Sequence, residues 1–180
     1  MPRIAILATD GFEQSELMKP RDFLRDAGAQ VDIVSLAGKS EIKGWDQDDW
    51  GQSVSVDRTL DDAQPGEYDA LVLPGGQINP DKLRVESAAL GFIRGFAEAD
   101  KPVAAICHAP WLLVEAGLAE GRELTSFESI RTDLANAGAQ VRDASVVRDG
   151  NLITSRNPDD LDDFNAAIAQ AVGLEAGQPA

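Results

Sequence analysis

Hydrophobic residues fall into two alternating patterns along the chain. Short apolar runs predict four buried strands: Arg3–Leu7, Val31–Leu36, Tyr68–Leu73 and Val103–Ile106. Apolar residues at helical spacing predict helices at Ser15–Ala27, Pro80–Ala99, Pro110–Glu115, Thr132–Ala137 and Asp159–Val172. Strands that alternate with helices in this order predict an α/β fold, in which a mostly parallel sheet carries helices on both faces.

Two segments depart from this alternation. Asp149-Gly150 is a hairpin turn signal between Ser145–Arg148 and Leu152–Ser155, and it predicts a small antiparallel hairpin. Residues Lys39–Gln64 contain an acidic patch between two tryptophans and show no sustained pattern. We expect loops and short edge strands in that segment.

The composition limits the class of protein. A chain of 180 residues suits one domain, which we assign to residues 1–174, with 175–180 as a tail. The formal charge is -15 and no basic stripe is present, so direct binding of nucleic acid is not expected. The sequence has no apolar run long enough to span a membrane and no signal-peptide pattern, which predicts a cytoplasmic protein without a membrane partner.

The loops that follow the parallel strands are the expected place for a site, because ligands of such sheets bind beyond the carboxyl ends of the strands. Three of these loops carry reactive or flexible residues: Ala8–Glu16, Pro74–Gln77 and Cys107–Pro110. We expect them to converge on one edge of the sheet.

Cys107 is the candidate nucleophile, because it stands between a buried strand and a helix, the place of a nucleophile elbow. A helix N-terminus favours the thiolate, so a lowered pKa is predicted. The alternative is a buried structural cysteine. His108 is the only histidine, which excludes a zinc site and a triad with a histidine from a distant loop. The alternative for His108 is a surface or hydrogen-bonded histidine.

Two further groups could support a reaction at the thiol. Glu16 or Glu13 could hydrogen-bond the sulfur, and Pro20 cannot donate to the Glu16 carbonyl, which places Glu16 at a special backbone position. The alternative for both acids is complementation of a helix dipole. The N–H groups of Gly75 and Gly76 could face an oxyanion, or the two glycines could simply form a tight turn.

These motifs together resemble the PfpI family of intracellular proteases and stress proteins, within the superfamily that includes the parkinsonism-associated deglycase. The matching segments are Phe12-Glu13 with Glu16, Val72–Gly76, Ala105–Pro110 and Thr154–Arg156. The resemblance implies a flavodoxin-like sandwich that forms homodimers or hexamers. No cofactor and no metal are expected.

The resemblance also implies roles for individual residues. It makes Cys107 the nucleophile, Glu16 the acid that hydrogen-bonds the sulfur, and Gly75 with Gly76 the oxyanion loop.

Further roles concern the neighbourhood of the histidine. In the protease-like branch, the histidine at the position of His108 is oriented by an acidic residue from a neighbouring subunit. The position of that acidic residue corresponds to Asp81 here, although glutamate is usual there. Phe127 stands where the family has a tyrosine near the site, so a hydroxyl donor is absent.

Two functional hypotheses stay open. In the first, Cys107 attacks the carbonyl of a small aldehyde or glycated adduct, as a deglycase or glyoxalase-like enzyme does, or that of a peptide, as a cysteine peptidase does. In the second, the protein is an oxidant sensor or chaperone-like stress protein that uses oxidation of Cys107 without turnover.

Overall fold

The structure is a computed structural model that describes residues 1–175, so the predicted tail lies outside the described residues apart from Glu175. The described strands are β1 Arg3–Leu7, β2 Phe12–Glu13, β3 Gln30–Ser35, β4 Glu41–Asp46, β5 Asp49–Ser55, β6 Arg58–Thr59, β7 Ala70–Leu73, β8 Val103–Ile106, β9 Glu123–Leu124, β10 Gln140–Val141, β11 Val147–Asp149 and β12 Leu152–Ser155. The α-helices are α1 Gln14–Asp26, α2 Ile78–Leu83, α3 Ser87–Glu98, α4 Pro110–Glu115, α5 Arg131–Asn136 and α6 Leu161–Ala171.

A seven-stranded sheet forms the centre of the fold, in the order β11-β12-β8-β7-β1-β3-β6. Its neighbouring strands are parallel except for β11 and β12, which form the antiparallel hairpin that the Asp149-Gly150 turn predicts. The flavodoxin-like α/β class predicted from the sequence is therefore confirmed. β2, β4 and β5 form a second, three-stranded sheet, and β9 pairs with β10.

Alternate residues of the central strands feed two separate apolar layers. In β1, Ala5 and Leu7 face the layer that α3 and α4 cover, whereas Ile4 and Ile6 face the layer that α1 and α6 cover. Helices therefore cover both faces of the sheet, and the carboxyl ends of β1, β7 and β8 meet at one edge. None of the helices within residues 1–175 is long and apolar enough to cross a membrane.

The segment Lys39–Gln64 is more regular than the sequence predicts. β4 and β5 form an antiparallel hairpin of six- and seven-residue strands, with Trp45 paired opposite Trp50. The signal is weak because each strand buries a single apolar side chain, Ile42 in β4 and Val54 in β5, and the other buried position of β4 is Gly44. The turn also lacks an Asn-Gly or Asp-Gly pair, and Gln47 adopts a φ of 62° instead.

The predicted helix Pro80–Ala99 is in fact two helices. α2 ends before Arg84, and Glu86 adopts an extended backbone at the N-terminus of α3. Val85, between them, is 80% exposed, so the break interrupts the apolar face that a continuous helix would need.

Candidate active site

Cys107 lies at the carboxyl end of β8 in a left-handed backbone conformation, with a φ of 65°. Hydrogen bonds hold its backbone on both sides: its N–H donates to the carbonyl of Ser155 at 3.0 Å, and the N–H of Phe127 donates to its carbonyl at 2.8 Å. A non-glycine residue at positive φ is strained, and such strain persists only where neighbours fix it. The nucleophile elbow predicted from the sequence is thus present in the backbone.

The loop after β7 passes so close to the elbow that only glycine fits at position 75. A Cβ on Gly75 would lie 2.6 Å from the Ile106 carbonyl oxygen and 2.7 Å from the Cys107 Cβ. The N–H of Gly75 donates to Oε1 of Glu16 at 2.9 Å, so it is not free to face an oxyanion, contrary to the sequence prediction. The backbone N–H groups of Gly76 and His108 instead interact with the Cys107 sulfur and act to lower its pKa.

Glu16 is fully buried beside the thiol. Burial, with repulsion from Glu13, raises its pKa to about 8, although the Gly75 N–H and the Cys107 thiol oppose the shift. Its Oε2 atom is buried without a hydrogen-bond partner among residues 1–175. The Cys107 thiol is a neighbour of this carboxyl, but the two groups do not form a well-formed hydrogen bond. A proton on this carboxyl at neutral pH relieves the cost of burying its charge.

The environment of Cys107 opposes ionisation of the thiol. The side chain is 6% exposed. Burial raises its pKa and the charge of Glu16 raises it further, whereas the N–H groups of Gly76 and His108 lower it. This direction is the opposite of the lowered pKa that the sequence predicts, because burial of the sulfur and repulsion from Glu16 and Glu13 outweigh the two backbone N–H groups.

His108 contacts the thiol directly, with its Nδ1 atom 3.1 Å from the Cys107 sulfur. Its other nitrogen, Nε2, lies 3.3 Å from the hydroxyl of Ser129. The ring stacks on Phe127 with 4.8 Å between centroids and meets Trp111 edge-on at 5.2 Å. Burial lowers the pKa of the imidazole, so the neutral form is favoured.

The remaining predicted residues fall at different distances from the thiol. Glu13 is half-buried at the pocket edge, accepts the Gln47 N–H at 3.3 Å, and has its pKa raised by burial. Phe127 forms part of the pocket wall. Asp81 is exposed on α2 and is not among the residues that line the pocket, so its predicted role toward a neighbouring subunit stays a prediction.

The thiol opens into a cavity of about 330 Å³. The residues that line it are Glu13, Glu16, Trp45, Gln47, Gly76, Gln77, Cys107, His108, Phe127 and Pro158. The lining contains two carboxyl groups and no lysine or arginine. Within residues 1–175, no cluster of three or more His, Cys, Asp or Glu side chains could hold a metal ion.

Sequence reasoning missed several residues that complete this site. Trp45 and Gln47 reach the pocket because β4 pairs with β2, the short strand that follows β1, and no local pattern indicates that pairing. Asn79 is buried and links two loops, accepting the Thr9 N–H at 2.8 Å and donating to the Pro74 carbonyl at 2.9 Å. Its position two residues beyond the Pro74–Gln77 loop, which was already assigned to the site, was the available signal. Ser129 had no sequence signal.

Comparison with known proteins identifies one family for this chain. Residues 2–171 match the DJ-1/PfpI family. The chain is 41% identical over 163 residues to the putative cysteine protease YraA of Bacillus subtilis strain 168, covering 91% of this chain and 94% of that protein. It is 42% identical over 172 residues to protein/nucleic acid deglycase 2 of Escherichia coli strain K12, covering 95% and 98%.

The solved structures agree with the sequence relatives. Drosophila melanogaster DJ-1beta superposes with a TM-score of 0.88 at 32% identity, over 97% of this chain and 92% of that chain. The sheet and the elbow thus define the same class of protein that the sequence motifs indicate, the DJ-1/PfpI proteins. The chain belongs to the DJ-1/PfpI family.

Proposed function

We propose that this protein is a cysteine-dependent enzyme that acts on small aldehydes or on their adducts with biological nucleophiles. The observation that carries the proposal is the contact of 3.1 Å between the Cys107 sulfur and Nδ1 of His108, inside a small cavity. A base within hydrogen-bond reach of a nucleophile is the arrangement that nucleophilic catalysis needs. The relative named protein/nucleic acid deglycase 2 supports the choice of substrate.

The proposed first step forms a thiohemiacetal. The Cys107 sulfur attacks the aldehyde carbon, a carbon–sulfur bond forms, and the electron pair of the C=O π bond moves to oxygen. The thiol proton passes to Nδ1 of His108 and then to the new oxyanion, so the adduct is neutral. In this proposal the N–H groups of Gly76 and His108, which interact with the sulfur, stabilise the oxyanion in the meantime.

The size of the cavity favours small substrates over peptides. A volume of about 330 Å³ lies at the low end of the range for small-molecule sites. The peptidase reading, which the name of the Bacillus relative suggests, requires room for an extended chain. A two- or three-carbon aldehyde fits beside the sulfur without such a groove.

The lack of a lysine or arginine in the cavity lining selects further among small carbonyl compounds. Glu13 and Glu16 line it and no cationic side chain does. A substrate carboxylate would therefore enter without a partner and at a desolvation cost. We infer a preference for neutral aldehydes such as methylglyoxal over anionic ones such as glyoxylate.

The test is turnover of methylglyoxal, and of its adduct with a thiol, by the wild-type protein and by Cys107→Ser. We expect turnover by the wild type, at least tenfold weaker turnover of glyoxylate, and background rates for Cys107→Ser. Equal rates for the two proteins would overturn the proposal. Absence of turnover, combined with conversion of Cys107 to a sulfinate by peroxide, would favour the oxidant-sensing alternative instead. The cytoplasmic location and the homo-oligomer stay predictions.

A further inference from the structure

We propose that Ser129 is a positioning residue that fixes the tautomer of His108, so that Nδ1 presents its lone pair to the Cys107 thiol. The inference rests on the proposed function, because it assigns the origin of the base in that reaction. It gives the chain a Cys107–His108–Ser129 relay made within one subunit, in which a hydroxyl takes the place of the carboxylate that usually orients such a histidine.

The geometry of the two ring nitrogens supports this relay. Nδ1 lies 3.1 Å from the Cys107 sulfur and Nε2 lies 3.3 Å from Oγ of Ser129. A neutral imidazole carries one N–H, which must sit on one of these nitrogens. A hydroxyl oxygen is a better acceptor than a thiol sulfur, and a thiol can donate its own hydrogen to Nδ1. With the proton on Nε2, each contact joins a donor to a good acceptor, whereas a proton on Nδ1 would have to be accepted by the thiol sulfur, a weak acceptor. The geometry therefore favours the tautomer with the proton on Nε2.

The charges around the ring point the same way. No carboxylate of the described chain forms an ion pair with His108; its polar side-chain contacts are the thiol and the serine. A neutral hydroxyl orients the ring without stabilising an imidazolium. Burial favours the neutral forms of both His108 and Cys107. The resting site is then a thiol and a neutral imidazole, and the proton moves only during attack.

Ser129 is held in place by the elbow itself. It lies in a short 3₁₀ turn, Glu128–Ile130, directly after Phe127. The N–H of Phe127 donates to the Cys107 carbonyl at 2.8 Å, and the Phe127 ring stacks on the imidazole. One three-residue span therefore fixes the elbow backbone, one face of the ring and the partner of Nε2.

The tautomer can be read directly, because His108 is the only histidine in the chain. The protein is labelled with [15N]histidine, and the Nδ1 and Nε2 resonances are recorded at about pH 7.5, where a buried imidazole is neutral. We expect an unprotonated Nδ1 and a protonated Nε2 in the wild type. Ser129→Ala should shift both resonances toward a mixture of tautomers, and Ser129→Thr, which keeps a hydroxyl, should restore them.

Thiol reactivity gives a second measurement. Ser129→Ala should alkylate with iodoacetamide about 3- to 10-fold more slowly, the range expected for loss of one neutral hydrogen bond. Glu128→Gln, in the same turn, removes a charge without touching the imidazole and is the matched control, with an unchanged rate and spectrum.

Two results would overturn the inference. One is a proton on Nδ1 in the wild type, and the other is a wild-type spectrum that Ser129→Ala leaves unchanged. Neither spectrum depends on turnover. Failure of the relay can therefore be distinguished from failure of the proposed enzymatic function, because the Cys107→Ser variant tests that function separately.

Discussion

The two walls of the pocket differ in how deeply they are buried. The inner wall, formed by Glu16, Gly76 and Cys107 with Gly75 behind them, lies at the carboxyl ends of parallel strands and is almost wholly inaccessible. The outer wall, formed by Trp45 and Phe127, stands on the β4–β5 hairpin and on the loop after β9, and is partly exposed. We expect the difference to separate two tasks: burial on the inner wall controls the protons of Glu16 and Cys107, whereas the outer wall affects which substrates enter and holds His108 through the stacked Phe127 ring.

The connections of the two walls explain this division. On the inner wall, a hydrogen bond from the Gly75 N–H to Glu16 joins the loop after β7 to the first turn of α1 within the core. On the hairpin side of the outer wall, the corresponding hydrogen bonds are exposed to solvent. They run from the Gln47 N–H to Glu13 and from the Gln52 N–H to Gln14. Exposed hydrogen bonds compete with water, so the hairpin is expected to open more readily than the elbow.

The largest expected effect is on the inner wall and concerns the pH dependence of stability. The pKa of Glu16 is about 8 in the folded protein and near 4.5 in an unfolded chain, so the folded state holds a proton that the unfolded state releases. The free energy of unfolding should therefore fall as pH rises from about 4.5 to about 8, by on the order of 5 kcal/mol. Denaturant titrations across this range measure it.

Glu16→Gln isolates that contribution. Its stability should vary much less over the same pH range, and it should exceed the wild type at pH 8, because the buried amide cannot ionise. Glu13→Gln is the control: Glu13 is half-buried and contributes less, so that variant should keep most of the wild-type slope. Parallel curves for Glu16→Gln and the wild type would show that the carboxyl is not protonated in the folded state.

A smaller effect on the same wall is expected from Gly75→Ala. The added methyl group would lie 2.6 Å from the Ile106 carbonyl oxygen, a backbone atom that cannot move aside cheaply. We expect a loss of roughly 2–3 kcal/mol in stability, together with slower alkylation of Cys107. Gly91→Ala in α3 is the matched control, because nothing lies within 4 Å of the added carbon, and it should be neutral or slightly stabilising. Equal stabilities of the two variants would contradict the close approach.

The sequence predicted the inner wall far better than the outer one. β1, β8 and α4 have the predicted bounds, because short apolar runs and a proline at a helix start are local signals. The convergence of three strand ends followed from the parallel topology alone, and it placed Glu16 and Cys107 at one edge. What the sequence could not give was the direction of the Cys107 pKa, which depends on how completely the folded chain excludes water from the sulfur.

The outer wall escaped prediction because tertiary contacts place it. The hairpin that carries Trp45 begins some thirty residues after β1 in the sequence, and its register with β2 is set by the pairing of Gly44 with Phe12. Ser129 is a single polar residue in a loop, and only the fold of that loop over the elbow brings it to His108. Neither residue carries a pattern that a propensity or a motif describes.

A change to the outer wall should alter substrate use and leave the thiol untouched. Trp45→Ala removes an aromatic surface from the cavity, so we expect kcat/KM for a bulky adduct to fall about 3- to 10-fold. Alkylation of Cys107 by iodoacetamide should change by less than about twofold. Trp50→Ala is the matched control. The Trp50 ring meets the Trp45 ring edge-on, with 5.4 Å between the ring centroids, but Trp50 does not line the cavity. A similar loss in both variants would mean that Trp45 acts only through the stability of the hairpin.

The smallest effect is expected from Asp81→Asn, which tests whether the outer wall needs a second subunit. The resemblance to the protease-like branch assigns Asp81 to a neighbour's His108, but Nε2 of that ring already lies 3.3 Å from the Ser129 hydroxyl within its own chain. A carboxylate at Nε2 would have to displace the serine, and it would favour an imidazolium that burial disfavours. We therefore expect turnover per thiol within about twofold of the wild type, at protein concentrations on both sides of any assembly transition seen by light scattering. A fall of more than tenfold that appears only in the assembled state would show that a partner's carboxylate, and not Ser129, orients the histidine.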